Sequence, residues 1–204
     1  MTPMEIAATV KDALVAIAAA ITAIVAVIGL SNWNRELRGK AAFDVARSLA
    51  RAMYKLRDEI RDCRSPFISG SEFPESTGSQ LSQRSSREDA NALSHVYRNR
   101  WKYVADALEA FDTCTLEAEA MWGANIRSKT DAFRQCLREL RVAIDAVIDD
   151  KAQSGENFKT DRDFAKDMRG KVSSSSGTDN PLTQRIDSSI EGIENELRPY
   201  LRRA

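Results

Sequence analysis

ALVAIAAAITAIVAVIGL, Ala13 to Leu30, is an uncharged apolar run at the head of a chain that is otherwise polar and rich in charge. At ~1.5 Å per residue it reaches roughly 27 Å, close to the ~30 Å hydrocarbon core of a bilayer. Its Leu, Ile and Val residues each contribute about −0.3 to −0.6 kcal/mol to insertion, whereas Lys11 or Asp12 at the centre would cost roughly 3 kcal/mol. The span therefore begins after Asp12, leaving 1–12 as a short extracytoplasmic amino terminus, 13–30 as a transmembrane helix and 31–204 as the body.

Two other readings of the run fit less well. A core helix of a water-soluble protein would be shorter and bounded by caps. A cleaved signal peptide would carry a basic leader, but Glu5, Lys11 and Asp12 precede this run and no small-x-small site follows it. The run reads as an uncleaved signal anchor. Arg35, Arg38 and Lys40 follow it closely, with Arg47 and Arg51 behind them, against Lys11 alone on the other side. Positive charge stays inside, which puts the amino terminus outside and the body in the cytoplasm. Trp33 sits where an indole favours the membrane interface, so Trp33, Arg35, Arg38 and Lys40 are candidate interfacial residues. Within the span, Ala13, Ala16, Ala20 and Ala23 form a stripe of small side chains suited to self-association of helices.

The body reads as helices throughout. Ala42, Val45, Leu49, Met53, Leu56, Ile60 and Cys63 step by three and four, which predicts an amphipathic helix over about 33–64, closed by Ser65-Pro66. The serine-rich stretch 65–85 has no apolar period and reads as a flexible connection. Ser85 with Glu88 has the form of a capping box opening a helix over 86–122, whose stripe runs Leu93, Tyr97, Trp101, Val104, Leu108, Phe111, Thr115, Ala118 and Trp122. Gly123 suits a left-handed stop, and the next helix, about 125–151, carries Ile126, Phe133, Leu137, Leu140, Ile144 and Val147. Ser154-Gly155 breaks it, Thr160 with Asp163 suggests a brief capped helix, and 171–180 is a second linker. Asn180-Pro181 then opens a last helix over 181–202, striped by Leu182, Ile186, Ile190, Ile193, Leu197 and Leu201.

No stretch outside the span alternates like a strand. The expected fold class is all-α: an amino-terminal transmembrane helix followed by an antiparallel bundle of three to four long amphipathic helices. In that bundle the second helix descends and places Trp122 near the level of Trp33, adding Trp122 to the membrane-interface set. Basic Arg35, Arg38, Lys40, Arg47 and Arg51 on the first helix are expected to face acidic Asp106, Glu109, Asp112, Glu117 and Glu119 on the second.

The chain holds 30 basic and 30 acidic side chains, a balance that argues against a general nucleic-acid binder. Cys63, Cys114 and Cys136 are scattered and lack CxxC spacing, which fits reduced thiols. His95 is the one histidine, too few for an HExxH or a di-iron helical site. Glu117, Glu119, Asp145, Asp149 and Asp150 read as solvated faces, and no phosphate-cradling or nucleophile-elbow motif occurs. No catalytic residue, metal or cofactor is expected. The row Arg47, Arg51 and Lys55 reads first as a solvated face paired with the neighbouring helix, and as the alternative it suits an anionic lipid or an acidic partner.

The segments WNRELRGKAAFDVARSLARAMYKLRDEIRDCRSPF (Trp33–Phe67) and YRNRWKYVADALEAFDTCTLEAEAMWG (Tyr97–Gly123) resemble a group of uncharacterised bacterial proteins. These have one amino-terminal membrane helix and a helical cytoplasmic body. The resemblance implies the same architecture and a bacterial inner membrane, and it assigns no activity. Sequence thus points to a membrane-anchored scaffold, sensor or interaction protein without catalysis, whose partners are the lipid bilayer, a second copy or a cytoplasmic protein. The alternative is an oligomerising membrane-perturbing effector of toxin or phage-defence type.

Overall fold

The chain is seen as a computed structural model that describes residues 3–74, 85–174 and 180–202, with side chains from residue 15 onward. All regular structure among the described residues is helical: α1 (Pro3–Cys63), α2 (Ser86–Trp122), α3 (Ala124–Ala152), α4 (Glu156–Thr160), α5 (Arg162–Val172) and α6 (Pro181–Leu201), with a single 3-10 turn at Gly70–Glu72. The stretches expected as a transmembrane helix over 13–30 and a body helix over about 33–64 run together as one helix. No proline lies between Pro3 and Cys63, neither Gly29 nor Gly39 takes a positive φ, and no cap interrupts the backbone ladder. At 1.5 Å per residue α1 is roughly 90 Å long.

The stripes read from sequence do form the core. Leu49, Met53, Leu56 and Ile60 of α1, Val104 and Phe111 of α2, Phe133, Leu140 and Ile144 of α3, and Ile193 and Leu197 of α6 are at most 2% exposed. Phe111 meets Phe133 edge to face at 5.5 Å, the arrangement aromatic quadrupoles favour.

Side-chain pairs fix the directions. Asp112 with Arg134 (2.7 Å), Glu119 with Arg127 (3.2 Å) and Asp89 with Lys151 (3.2 Å) set α2 against α3 in opposite senses. Arg185 with Glu139 (2.6 Å) and Asn125 with Glu196 (2.6 Å) do so for α3 and α6. The Tyr54 hydroxyl donates to Glu194 (2.7 Å) and Arg64 donates to Thr183 (3.0 Å), setting α6 against α1. α1 also packs on α2, so each of the four long helices touches two others.

Local chemistry explains the ends. The Ser85–Glu88 capping box is present, with the Ser85 N–H donating to Glu88 at 2.8 Å and the Glu88 N–H returning to Ser85 Oγ at 3.3 Å. Asn180 caps α6 by accepting from the N–H groups of Leu182 and Thr183. The cap of α5 is Asp161, which accepts from the Phe164 N–H at 2.9 Å, and not Thr160, whose hydroxyl bonds back to the Glu156 carbonyl. Gly155 is left-handed at φ 79, ψ 14, the conformation a helix stop favours.

Gly123 departs from that expectation. Its φ of 72 comes with ψ −153, a region open essentially to glycine alone, in which the chain reverses between α2 and α3 without an intervening loop. A Cβ there would meet nothing within 4 Å, so Gly123→Ala adds backbone strain without a clash. The expected loss is about 1 to 3 kcal/mol, read as a lower urea midpoint with an unchanged slope.

Candidate functional site

The apolar half of α1 stands outside the packed helices. Long and apolar enough to cross a membrane, it has no residue of its apolar run buried among those described. Val15, Ile17, Ile21, Ile24, Val25, Val27, Ile28 and Leu30 are all more than half exposed. Transfer of one such side chain from water to apolar surroundings is worth about 1.5 to 3 kcal/mol, so this column in water forfeits on the order of 10 kcal/mol. Thr22, the one hydroxyl in the run, donates to the Ala18 carbonyl at 2.8 Å and so needs no partner from outside. Ala16, Ala20 and Ala23 are exposed along the same helix, and Ala13 lies in α1 with its side chain outside the described residues.

Past the run, Trp33 is 63% exposed, and Arg35, Arg38 and Lys40 are exposed too. The first fully buried α1 residue is Ala46. It lies sixteen positions past Leu30, so about 24 Å of helix, exposed as far as Ala41, joins the apolar column to the core.

Trp122 sits elsewhere than expected. Its ring stacks on Tyr200 at 4.4 Å and packs against the core. Because Tyr54 pairs with Glu194 and Arg64 with Thr183, Tyr200 stands level with the upper forties of α1. Trp122 is therefore roughly 20 Å along the axis from Trp33, not at its height. The first two helices differ from expectation in charge as well. Asp112 and Glu119 pair with α3, and no ion pair joins Arg35, Arg38, Lys40, Arg47 or Arg51 to α2 among the described residues.

At the far end of the core two arginines do work that sequence reading missed. Arg64 is 3% exposed; its Nε donates to the Lys171 carbonyl (2.8 Å), Nη1 to Thr183 Oγ1 (3.0 Å), and Nη2 to Asn180 Oδ1 (3.0 Å) and, at 3.4 Å, to the Gly170 and Ser173 carbonyls. It thus caps the negative end of α5 while holding the start of α6. Burial pushes its pKa down, yet a guanidinium remains charged. Its signal in the sequence is a charge four residues after Ile60, on the core stripe. Arg100 follows the same logic on α2. It grips Glu72 through two nitrogens (2.6 and 3.0 Å) and the carbonyls of Ser65 (2.8 Å) and Phe67 (2.7 Å), and the Arg100 hydrogen bonds hold Glu72 below the usual carboxylate range. Residues 65–74, read above as part of a flexible connection, are thereby fastened; 75–84 lie outside the described residues.

The remaining candidates are occupied in the fold. His95 meets Asn99 at 2.9 Å in an exposed position. Asp150 is buried and accepts from the Phe158 N–H at 2.8 Å, capping α4. Asp145 pairs with Arg141. All three cysteines are free, and burial pushes the Cys63 thiol up to about 11. A cleft of about 540 Å³ beside α5 and α6 is lined in part by Glu139, Asp167, Lys171 and Arg185, whose charges are cancelled in pairs, Arg185 with Glu139 and Lys171 with Asp167. Set against models of protein families, curated proteins and solved structures, the chain matches none of them.

Proposed function

We propose that this chain is a membrane-anchored helical scaffold, sensor or interaction protein without catalytic activity. The observation that carries the reading is α1, whose apolar half extends fully exposed beyond the core while its other half supplies part of that core. An unbroken helix shared by the two transmits rotation, tilt or pairing from one to the other. In this reading residues 13–30 span a bacterial inner membrane once, Trp33, Arg35, Arg38 and Lys40 lie at the inner interface, and the helical bundle stands in the cytoplasm. Ala16, Ala20 and Ala23, with Ala13, offer one face for a neighbouring span. The buried Arg64 and Asp150 and the half-buried Arg100 support an interaction role, since all three are spent on holding chain segments together.

Topology tests it directly. Cys63 and Cys136 are buried and make poor reporters. Ser48→Cys places a thiol on the exposed face of α1. With a membrane-impermeant maleimide, that variant is expected to label only after intact cells are opened, and wild type to give the background. Labelling of Ser48→Cys in intact cells would overturn the orientation, and recovery of the chain in the supernatant after alkaline carbonate would overturn the anchor.

A further inference from the structure

On α1, Arg47, Arg51 and Lys55 each lie two residues from a fully buried position, Leu49 or Met53. Two residues turn a helix by about 200°, so all three point away from the core. On α2, Asp106, Glu109 and Glu117 stand in the same relation to Val104, Phe111 and Thr115. All six are exposed, and none forms an ion pair among the described residues. Between Lys40 and Lys55 α1 carries four bases against Asp44; between Val104 and Trp122 α2 carries five acids and no base. Arg134 and Arg127 satisfy two of those acids, leaving three.

The two patches share a height. Arg100 donates to the carbonyls of Cys63 (3.3 Å) and Ser65 (2.8 Å), which ties that point of α2 to the end of α1. Lys55 to Arg47 lie eight to sixteen residues below Cys63, and Asp106 to Glu117 lie six to seventeen below Arg100. The two patches therefore overlap, both falling roughly 9 to 26 Å from one level of the molecule. The bilayer is a poor occupant for the basic one. Along an unbroken helix Arg47 to Lys55 stand about 26 to 37 Å past Leu30, several times the ~8 Å screening length at physiological salt.

The geometry points to a second copy of this chain as the occupant: a parallel dimer whose twofold axis runs along the helices, with the basic outer face of α1 on the acidic outer face of α2 from the other copy. Such an axis brings α1 over the second copy's α2 and α2 over its α1, so one face supplies both halves of the match. Copies held in one bilayer sit at one height, and the patches meet without sliding. This inference rests on the span reading, which sets that shared height. It adds a docking face in the body that the alanine stripe does not supply.

The test uses the full chain in nanodiscs or uncharged detergent, with sedimentation equilibrium for association and liposome flotation for anchoring. One variant carries Arg51→Glu with Lys55→Glu, the other Asp106→Lys with Glu109→Lys. Wild type is expected to dimerise more weakly as salt rises. Each variant alone has like charge on both faces and is expected to lose affinity about tenfold or more. Mixed, the two are expected to pair with each other, because every contact is then between opposite charges. Variants that dimerise as wild type does, or a mixture that stays monomeric, would overturn the docking face. A wild-type chain that floats with liposomes but stays monomeric overturns it while leaving the anchor standing, and a chain that fails to float removes the shared height and the anchor together.

Discussion

Arg64→Ala is expected to destabilise the packed helices by about 3 to 5 kcal/mol, as much as emptying a buried core position. The guanidinium is almost wholly buried and donates to three carbonyls, a hydroxyl and an amide oxygen. Hydrogen bonds from a charged donor contribute about 1.5 to 3 kcal/mol each, and every buried acceptor left without its donor costs about 1 to 3 kcal/mol. Asn180 moderates the loss, since its amide also donates to the Gly170 carbonyl at 2.6 Å. Arg64→Lys should recover less than half, because an ammonium cannot reproduce a planar fork that spans α5 and α6. Urea unfolding of the full chain in detergent, followed through Trp101 and Trp122 fluorescence on a Trp33→Phe background, isolates the body from the apolar part of α1. Arg61→Ala is the control. Arg61 is exposed and, among the described residues, pairs with Asp58 at 3.0 Å, so about 0 to 1 kcal/mol is expected there. Equal losses at 61 and 64 would sink the role given to Arg64.

The helices were legible because their apolar residues recur at three and four, and burial of that stripe is what stabilises each of them. Ser85 with Glu88 and Asn180 with Pro181 were legible for a similar reason, since a cap is chosen by groups within three residues of it. The misreadings all involve the third dimension. Both Thr160 and Asp161 can cap a helix, and the path of the chain between α4 and α5 selects the latter. Serine-rich composition made 65–85 look loose, while its first part is fixed by an arginine on another helix. Height along the axis alone paired the bases of α1 with the acids of α2. Angular position decides otherwise, turning Arg47 and Arg51 outward and giving Asp112 and Glu119 to α3. Trp122 looked interfacial because a descending second helix was expected to end level with Trp33; its ring stacks on Tyr200 instead.

Two aspartates in the span are expected to release the chain from the membrane. The nine Leu, Ile and Val residues between Ala13 and Leu30 contribute together roughly −3 to −5 kcal/mol on the insertion scale. Ile21→Asp with Ile24→Asp removes two of those contributions and adds about 2.5 to 3.5 kcal/mol for each charge near the centre, a change of roughly 6 to 8 kcal/mol. The sum changes sign, so the variant should partition to the aqueous phase while wild type stays with the bilayer. Position matters in this comparison, because a charge at the edge of the column can reach the headgroups and one at its middle cannot. Lys40→Asp, ten residues past Leu30 on the exposed part of α1, should therefore leave the chain in the membrane fraction and shift only its orientation bias. The core is built from residues beyond Ala42 and does not touch the exposed column. The released double variant should thus keep the wild-type fluorescence of Trp101 and Trp122 and the same urea midpoint. A midpoint that falls with release would mean that the anchor also supports the body, and a double variant that stays membrane-bound would remove the apolar column as the anchor.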